Sequence, residues 1–478
     1  MSGEKPTSRR RVPERSEGGR RPESGEPQSR ALPEQGGGLH QTPKKQPTSA
    51  EVRVKHDKHL FPAVANFYEE PTVLVEGHGT KLTDLDGNEY LDFFGGILTV
   101  SLGHSNEEIN DAVIAQIKRL THVSTLYPTV PIVELAEQLT AASPGKLEKA
   151  FFTASGTEAD ETAVMMAQVF TGNSELVALR HGYSGRSLLA QSLTAHNTYR
   201  AVPSQIAAVK HGLAPYCYRC PMKLEYPSCG VACAKDLDEL IQTTTTGQIA
   251  GMLAEPIQGV GGFVTPPKEY FQIAAEIVAK YGGVFIADEV QTGFGRTGKM
   301  WGIEQYGVEP DMMTMAKGIA NGFPLGAIVA TAPIADSLTK GSISTFGGNP
   351  VSCTAGSKVL EIIERDDLCS NAEAMGAILR GGLEALQKKH PKIIGDVRGM
   401  GLMQALELVK DEEAGDRTPN PEATKALFEE TKKRGLLIGK GGLWGNTIRI
   451  APALNIGEEE IREGLKLLGE SFAAMENA

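Results

Sequence analysis

A chain of 478 residues, of which 40% are hydrophobic and 22% charged, is long enough for two or three ordinary domains with a large buried core. The formal net charge of −11 argues against a nucleic-acid partner, because phosphate backbones are bound by clustered Lys and Arg. No run of about 18 apolar residues predicts a membrane span, and six cysteines are too few for a disulfide scaffold. We therefore expect a protein of a reducing compartment, the cytoplasm.

The first 50 residues differ in composition from the rest of the chain. They are rich in Arg, Pro, Gly, Ser and Glu and contain few large apolar residues, so they cannot bury enough surface to offset the entropy lost on ordering. This predicts a disordered tail over residues 1–50. Arginines are typical of organelle transit peptides, but such peptides are poor in acidic residues, and this segment has glutamates at positions 14, 17, 23, 26 and 34. Targeting to an organelle is the alternative to a cytoplasmic location.

Helices and apolar strands alternate after the tail. Periodicity predicts helices over 107–120, 158–170 and 270–280 and buried strands over 150–153, 251–254 and 284–287. Uninterrupted apolar strands between helices predict an α/β fold with a mostly parallel sheet covered by helices. After about residue 365, a helix, strand-like segments and a final helix predict a smaller α+β domain. The predicted division is an N-terminal segment of the small domain over 51–100, a large domain over 101–365 and the C-terminal small domain over 366–478.

A lone lysine, Lys317, follows an apolar run that ends in Thr314, Met315 and Ala316, and it precedes glycines at positions 318, 322 and 326. A lysine at the end of a strand, where the backbone closely approaches a ligand, would be desolvated. Desolvation lowers the pKa of an amine and leaves a nucleophile. An ordinary surface lysine at a turn is the alternative interpretation.

Two other polar positions stand at strand ends. Asp288 follows the buried run 284–287, and a carboxylate at the carboxyl end of a central strand faces the crevice in which α/β proteins bind ligands. Ser155, Gly156 and Thr157 lie between a predicted strand and helix, where backbone N–H groups form a phosphate site. Helix capping is the alternative in both cases.

Two glycine-rich motifs are rejected. Residues 293–298 match the dinucleotide fingerprint G-x-G-x-x-G, but that fingerprint requires a helix to begin within it, and the residues from 299 to 307 show no convincing apolar stripe. Residues 439–442 lack the G-K-[ST] ending of a P-loop.

Four cysteines, Cys217, Cys220, Cys229 and Cys233, have the spacing C-x₂-C-x₈-C-x₃-C. The spacing loosely satisfies that of a zinc site, but the central gap is short. Unligated loop cysteines are the preferred interpretation, with structural zinc or a redox loop as the alternative.

Pyridoxal phosphate needs from a protein an amine, an acid for its pyridine nitrogen, a phosphate site and flat contacts to its ring. Lys317, Asp288 and residues 155–157 supply candidates for the first three. The chain resembles the class III aminotransferases, which are fold-type I pyridoxal-phosphate enzymes. The resemblance covers roughly residues 55 to 475, and its blocks occur in the family's order at 155–159, 255–259, 287–298, 316–318, 345–350 and 397–399. Within the family, the chain looks closest to the alanine–glyoxylate aminotransferase-like branch, because of the stretches 59–62, 90–94 and 448–452.

The resemblance implies a role for each matching residue. Lys317 would bind the cofactor as a Schiff base and move a proton at the substrate Cα, and Asp288 would bind the pyridine nitrogen. The remaining cofactor contacts would come from Ser155, Gly156, Thr157, Tyr183, Glu255, Val290 and Gln291. Tyr183 would stack on the ring, although Ser184 stands where the family usually has His. Thr345 resembles the residue that reaches the phosphate of a neighbouring subunit, which implies a homodimer with shared active sites and leaves open a tetramer.

Arg398 matches, in the resemblance, an arginine that clamps the substrate α-carboxylate through its guanidinium. In ornithine-aminotransferase-like members, a glutamate pairs with that arginine, whereas Val260 stands at the corresponding position here. An arginine without a carboxylate partner would favour small α-amino and α-keto acids such as alanine, pyruvate or glyoxylate.

The function implied by the resemblance is transamination, from a small amino acid or amine donor to an α-keto acid such as pyruvate or glyoxylate. The alternatives within the same fold are a lyase, an aminomutase or an ω-amine–pyruvate transaminase. A non-catalytic binding protein is a further alternative, which the presence of Lys317, Asp288 and Gln291 argues against.

Overall fold

The computed structural model describes residues 46–64 and 66–476. Most of the predicted tail, residues 1–45, lies outside the described residues. The first helix begins at Ser49, so the predicted tail extended two residues too far. Thr48 caps this helix and forms a capping box with Glu51, which satisfies N–H groups that the first turn leaves unpaired.

The predicted helices and strands are confirmed to within a few residues. Helices α1 to α13 of the described residues are Ser49–His59, Gly95–Leu98, Glu107–Arg119, Val130–Ala142, Gly156–Thr171, Leu188–Leu193, Ala232–Thr244, Tyr270–Lys280, Ala332–Ser337, Pro350–Arg365, Leu368–Lys389, Pro421–Lys433 and Glu458–Glu476. Strands β1 to β16 are Leu74–His78, Lys81–Asp84, Glu89–Asp92, Leu147–Thr153, Leu176–Leu179, Val209–Gly212, Gly251–Ala254, Val284–Asp288, Met312–Met315, Gly326–Thr331, Ile394–Met400, Met403–Asp411, Asp416–Pro419, Leu436–Leu437, Gly439–Gly441 and Thr447–Ile450. None of the described helices is long and apolar enough to cross a membrane.

A seven-stranded sheet with the order β4-β10-β9-β8-β7-β5-β6 forms the centre of the fold. Neighbouring strands are parallel except for β10, which runs antiparallel to β4 and β9. Side chains of β8 alternate between the two faces, so that Phe285 and Ala287 join one apolar core while Val284 and Ile286 join another. The predicted α/β fold, with a mostly parallel sheet covered on both faces, is therefore confirmed.

Two smaller sheets contain the first and last strands. In the four-stranded sheet β1-β2-β3-β14, Leu91 of β3 pairs in parallel with Leu436 of β14, which ties the N-terminal segment to the C-terminal part. The other sheet has the order β11-β12-β16-β15, with β13 also paired to β12. Residues 48 onward form one compact unit, and the finer division at residues 100 and 365 stays a prediction.

Helix α3 shows that a correct helix assignment does not fix which face is buried. Five apolar residues at helical spacing predicted this helix, but only Ile109 and Val113 are buried. Ile114, Ile117 and Leu120 are exposed. Part of the apolar stripe therefore lies on the outer surface of the described chain.

The G-x-G-x-x-G segment at 293–298 forms turns, and no helix begins within it. Its arginine, Arg296, is 1% exposed and donates a hydrogen bond of 3.1 Å to the carbonyl oxygen of Leu402. The segment therefore connects the turn between β11 and β12 to the end of the large sheet. It lacks the helix that pyrophosphate binding requires.

Candidate active site

A cavity of about 180 Å³ opens at the carboxyl ends of β8 and β9. Eight of the residues predicted from the sequence line it, namely Gly156, Thr157, Tyr183, Glu255, Asp288, Val290, Gln291 and Lys317. Ser155, Thr345 and Arg398 do not line it. The position agrees with the general rule that α/β sheets bind ligands outside the carboxyl ends of their strands.

Strand β9 brings Lys317 into the cavity. The strand ends at Met315, and Lys317 begins the 3₁₀ turn Lys317–Ala320 with a φ of +50°, a left-handed conformation that is costly for a residue with a Cβ. A Cβ at position 318 would lie 3.0 Å from Oγ of Ser101, so glycine fits the tight turn that follows. Burial lowers the pKa of Lys317, which leaves more of the amine neutral and nucleophilic.

Asp288 is the last residue of β8 and is only 3% exposed. Its Oδ1 accepts a hydrogen bond of 3.0 Å from the N–H of Val290. Burial raises the pKa of Asp288 to about 6, because the charged carboxylate is removed from water. A cationic partner would offset that cost.

The N-terminus of α5 lies in the cavity wall beside these residues. Oγ of Ser155 accepts a hydrogen bond of 3.3 Å from the N–H of Glu158, so Ser155 caps the helix. Gly156 and Thr157 follow in the cavity wall, where first-turn N–H groups have no partner within the helix and attract negative charge. Gly185, at a φ of +125°, closes this side, since a Cβ there would lie 2.2 Å from Oγ1 of Thr157.

Glu255 positions the opposite wall. Its carboxylate accepts hydrogen bonds of 3.0 Å from the N–H of Tyr183 and 2.7 Å from the N–H of Gly259. Burial, followed by the nearby charge of Asp288, raises the pKa of Glu255 to about 8. Gln291 has a buried Oε1 with no hydrogen-bond partner among the described residues, which leaves it available to a ligand.

Asp160 is a residue of the cavity that the sequence interpretation missed. It is 2% exposed, and its Oδ1 accepts a hydrogen bond of 2.7 Å from Oγ1 of Thr314. Its position in the sequence gave a signal, because residue 160 is one helical turn after Gly156 and therefore shares the face of α5 that meets the cavity.

Arg398 is already paired with carboxylates, so the expectation that it lacks such a partner is wrong. Its Nη1 lies 2.7 Å from Oδ2 of Asp396 and 2.6 Å from Oε2 of Glu407. Glu407 also accepts hydrogen bonds from Tyr216 and Arg219. Val260 stands at the position from which related enzymes supply the partner glutamate, whereas the carboxylates that pair with Arg398 here come from its own strand and the next one.

Arg449, unlike Arg398, has no carboxylate partner within the described residues. It lies 3% exposed in β16, and it donates to the carbonyl oxygens of Lys440, at 2.9 Å, and Gly259, at 3.4 Å. Its guanidinium carbon lies 4.8 Å from the centre of the Phe94 ring and 5.6 Å from that of Phe263. Burial lowers the pKa of Arg449 to about 10, and the negative charge of nearby Glu255 opposes that shift.

The four cysteines of the C-x₂-C-x₈-C-x₃-C segment meet around a separate small apolar cavity that also includes Tyr216 and Met222. No group of three His, Cys, Asp or Glu side chains within residues 46–64 and 66–476 is arranged to hold a metal ion. Burial raises the pKa of Cys233 to about 11, which favours the protonated thiol.

The main cavity fits pyridoxal phosphate. Three buried acids, Asp160, Glu255 and Asp288, line the cavity with a single amine, Lys317. Burial raises the pKa of each acid, so a group that brings a positive charge, as a protonated pyridine does, would stabilise their ionised forms. The α5 N-terminus favours the phosphate, and the unpaired Oε1 of Gln291 fits a ligand donor. Asp288 would hold the ring nitrogen, and Lys317 would meet the aldehyde.

Comparison with known proteins agrees with this fit. The family described as aminotransferase class-III matches residues 64–472, so the chain belongs to that family and is a pyridoxal-phosphate-dependent aminotransferase. Alanine–glyoxylate aminotransferase 2 homolog 2, mitochondrial, of Arabidopsis thaliana is 46% identical over 409 residues, covering 85% of this chain and 84% of the relative. The human protein named alanine–glyoxylate aminotransferase 2, mitochondrial, is 39% identical over 427 residues, covering 85% of this chain and 83% of its own length.

The fold is also similar to those of solved aminotransferase structures. The crystal structure of a Bacillus anthracis aminotransferase superimposes with a TM-score of 0.83 at 30% identity and covers 89% of this chain and 98% of its own. The predicted family, and the likeness to its alanine–glyoxylate aminotransferase branch, are confirmed by these matches. As an aminotransferase, the chain acts on an amino donor and a keto acid.

Proposed function

We propose that this chain transfers an amino group from a small amino acid, such as alanine, to an α-keto acid such as pyruvate or glyoxylate, and that Lys317 binds the cofactor covalently. The observation that carries the proposal is the meeting of Lys317, Asp288 and the α5 N-terminus around one cavity. The substrate class is supported by the names of the Arabidopsis and human relatives, which are alanine–glyoxylate aminotransferases.

When bound, pyridoxal phosphate supplies an aldehyde that accepts an amino group and a ring that takes up the electron pair left by a departing Cα proton. Lys317 has the position and the lowered pKa to take up that proton at its Nζ and return it. Asp288, whose carboxyl group is buried at the end of β8, would hold a proton on the ring nitrogen by pairing with it. Tyr183, held by Glu255, lies at the wall where the flat face of the ring would pack.

We assign the substrate carboxylate to Arg449 and not to Arg398. A carboxylate that approached Arg398 would compete with Glu407 and Asp396, both already bound to the same Nη1. Arg449 has no such competitor among the described residues. It is also near enough to Lys317 that its positive charge, together with burial, lowers the pKa of Lys317.

Val260 bears on the substrate class through Arg449. It follows Gly259, whose carbonyl oxygen accepts from Arg449, and an apolar side chain at position 260 offers the guanidinium no carboxylate partner. An arginine that keeps its charge in both half-reactions favours substrates that carry an α-carboxylate both times. Alanine, pyruvate and glyoxylate meet this condition.

Reduction with borohydride followed by peptide mass mapping tests the covalent site. We expect a reduced pyridoxyl group on the peptide that contains Lys317 and none on other lysines. A label on another lysine, or on no lysine, would overturn the assignment. A panel of donors and acceptors on the same preparation then tests the reaction, because pyruvate-dependent consumption of an amino donor separates a transaminase from a lyase or an aminomutase.

Substitution of Arg449 tests the carboxylate site. Arg449→Gln should raise the KM values for alanine and pyruvate roughly 10- to 100-fold, since a hydrogen-bonded charge is worth about 1.5–3 kcal/mol. An amine donor without a carboxylate serves as the matched substrate control, and its KM should stay unchanged. If the KM values for alanine and for that amine rise by the same factor, Arg449 only shapes the cavity and does not bind the carboxylate.

We also propose that the chain forms a homodimer with shared active sites, which leaves a tetramer open. Thr345 lies exposed beside Ile343 and Phe346, whose side chains are 59% and 64% exposed, and Leu126 and Val130 are also exposed. Mixing a Lys317→Ala chain with a Thr345→Ala chain tests the sharing. If Thr345 serves the partner's site, mixed dimers should regain one intact site in two, whereas unshared sites should regain nothing.

A cytoplasmic location also stays a proposal, supported by the glutamates of the first 50 residues. The Arabidopsis and human relatives carry the word mitochondrial in their names. Fusion of residues 1–50 to a fluorescent reporter, followed by cell fractionation, tests it, and an organelle-bound reporter would contradict it.

A further inference from the structure

Asp160 is a buried acid of the cavity to which neither the family resemblance nor the proposed reaction gives a role. It lines the cavity together with Asp288, Glu255 and Lys317. Its side chain is as buried as that of Asp288, with exposures of 2% and 3% for the two residues. Burial of an ionised carboxylate without a cationic partner is costly, so Asp160 either keeps its proton or needs a positively charged neighbour.

Sheet register places Asp160 next to Asp288. Asp288 of β8 and Thr314 of β9 are partners in adjacent parallel strands, so their side chains point to the same face of the sheet. Oγ1 of Thr314 donates its hydrogen bond to Oδ1 of Asp160, at 2.7 Å. The carboxyl group of Asp160 therefore lies over the same pair of strand ends as that of Asp288.

The two acids also interact through their charges. Burial, followed by the charge of Asp288, raises the pKa of Asp160 well above its usual range. Glu255 acts in the same direction, whereas Lys317 and the hydrogen bond from Thr314 oppose the rise. The cavity thus holds three acids and one amine, and a group that enters with a positive charge would stabilise the ionised form of each acid.

We propose that Asp160 is a second acidic residue of the cofactor site, which acts through Asp288 to favour a pyridine ring that carries a proton on its nitrogen. Asp288 contacts the ring nitrogen, and Asp160 is a positioning residue behind it. The proposal rests on the placement of the ring nitrogen at Asp288 proposed above. It adds that the preference for a protonated ring depends on two carboxyl groups.

Cofactor affinity measured on the apoprotein tests the proposal without any activity assay. Two probes are used, namely pyridoxal 5′-phosphate and its 1-deaza analogue, in which a carbon replaces the ring nitrogen. Asp160→Asn keeps the shape and the hydrogen bond from Thr314. It should weaken binding of pyridoxal phosphate roughly tenfold, the equivalent of one pKa unit, and leave binding of the deaza analogue unchanged or stronger.

Asp311→Asn is the matched control. Asp311 is also a partly buried acid with a pKa raised by burial, but it accepts from the N–H of Phe285 near the start of β9, away from the cavity. This variant should bind both probes as the unchanged protein does. Unfolding of each apoprotein by denaturant verifies that the variants are folded. Thr314→Val removes the donor to Asp160, so it should change the affinity for each probe in the same direction as Asp160→Asn does, by a smaller factor.

Two outcomes would overturn the proposal. If Asp160→Asn weakens both probes equally, the residue only shapes the cavity, and if it changes neither, the residue has no part in cofactor binding. Asp288→Asn measured with the same probes separates this failure from a failure of the ring placement. If Asp288→Asn distinguishes the probes and Asp160→Asn does not, the placement stands and the role of Asp160 is wrong.

Discussion

Nη1 of Arg398 donates a hydrogen bond of 2.6 Å to Oε2 of Glu407, which lies on the neighbouring antiparallel strand. Glu407 has a fully buried side chain and accepts from Tyr216 and Arg219 as well. A buried charge pair of this kind is weak evidence for net stabilisation, but removing one partner leaves an uncompensated charge. The pair therefore identifies Arg398 as a residue that the fold requires in place.

Arg398→Lys tests whether that requirement is structural. Lysine keeps the charge but cannot reproduce the fork that reaches Glu407 and Asp396, so the free energy of unfolding should fall by about 2–3 kcal/mol. The KM values for alanine and pyruvate should remain as they were, measured on the folded fraction. A rise in KM with no loss of stability would return the substrate carboxylate to Arg398.

Asp288→Asn should make the apoprotein more stable at pH 8. The pKa of Asp288 in the folded chain, about 6, lies above the value of about 4 for an unfolded aspartate. The unchanged apoprotein therefore binds this proton more tightly than the unfolded chain does, and it loses stability as the pH rises through that window. The gain in the variant should approach about 3 kcal/mol at pH 8 and vanish near pH 4.

Denaturant unfolding of both apoproteins across that pH range measures the difference. With pyridoxal phosphate added, the order should reverse, because Asp288 then has a cationic partner that asparagine cannot pair with. If the Asp288→Asn apoprotein is less stable than the unchanged apoprotein at pH 8, the pKa of Asp288 is not raised by folding and the prediction is wrong.

Gly185→Ala should weaken cofactor binding. The φ of +125° is costly for alanine, and its Cβ would lie 2.2 Å from Oγ1 of Thr157 at the start of α5. A shift of Thr157 or of the 183–185 wall should lower the affinity for pyridoxal phosphate by a factor of about ten or more. Gly172→Ala is the control, since Gly172 ends α5 at a φ of +71° with no atom near the added Cβ, and it should lower stability alone.

Local patterns predicted the large sheet, Lys317, Asp288 and the start of α5, whereas Tyr183, Glu255, Val290 and Gln291 were implied only by the family resemblance. The helix Tyr270–Lys280 has apolar residues at helical spacing, and the strand Val284–Asp288 has an uninterrupted apolar run. Both patterns can be recognised within a short stretch of sequence. Lys317 and Asp288 lie at strand ends or directly after them, so the rule that parallel strands present their carboxyl ends at one edge was enough to bring these two together.

Pairing between distant segments could not be predicted in the same way. The sequence gives no indication that Glu407 would satisfy Arg398, since that depends on the antiparallel register of β11 and β12. It also does not show that Arg449 would have only carbonyl and ring partners. The assignment of the substrate carboxylate to Arg449 or to Arg398 therefore depends on which residues surround each guanidinium, and that is a property of the tertiary structure.

The four cysteines give the last prediction, which concerns metal content. Their thiols surround one apolar cavity, but among the described residues they do not form a metal-binding arrangement, and burial raises the pKa of Cys233 to about 11. A thiol must lose its proton to bind zinc, so such an environment disfavours the metal. We expect well under one zinc per chain when the purified holoenzyme is measured by elemental analysis, and unchanged unfolding after dialysis against a chelator. One tightly held zinc per chain, with loss of stability on its removal, would show instead that the segment closes around a metal.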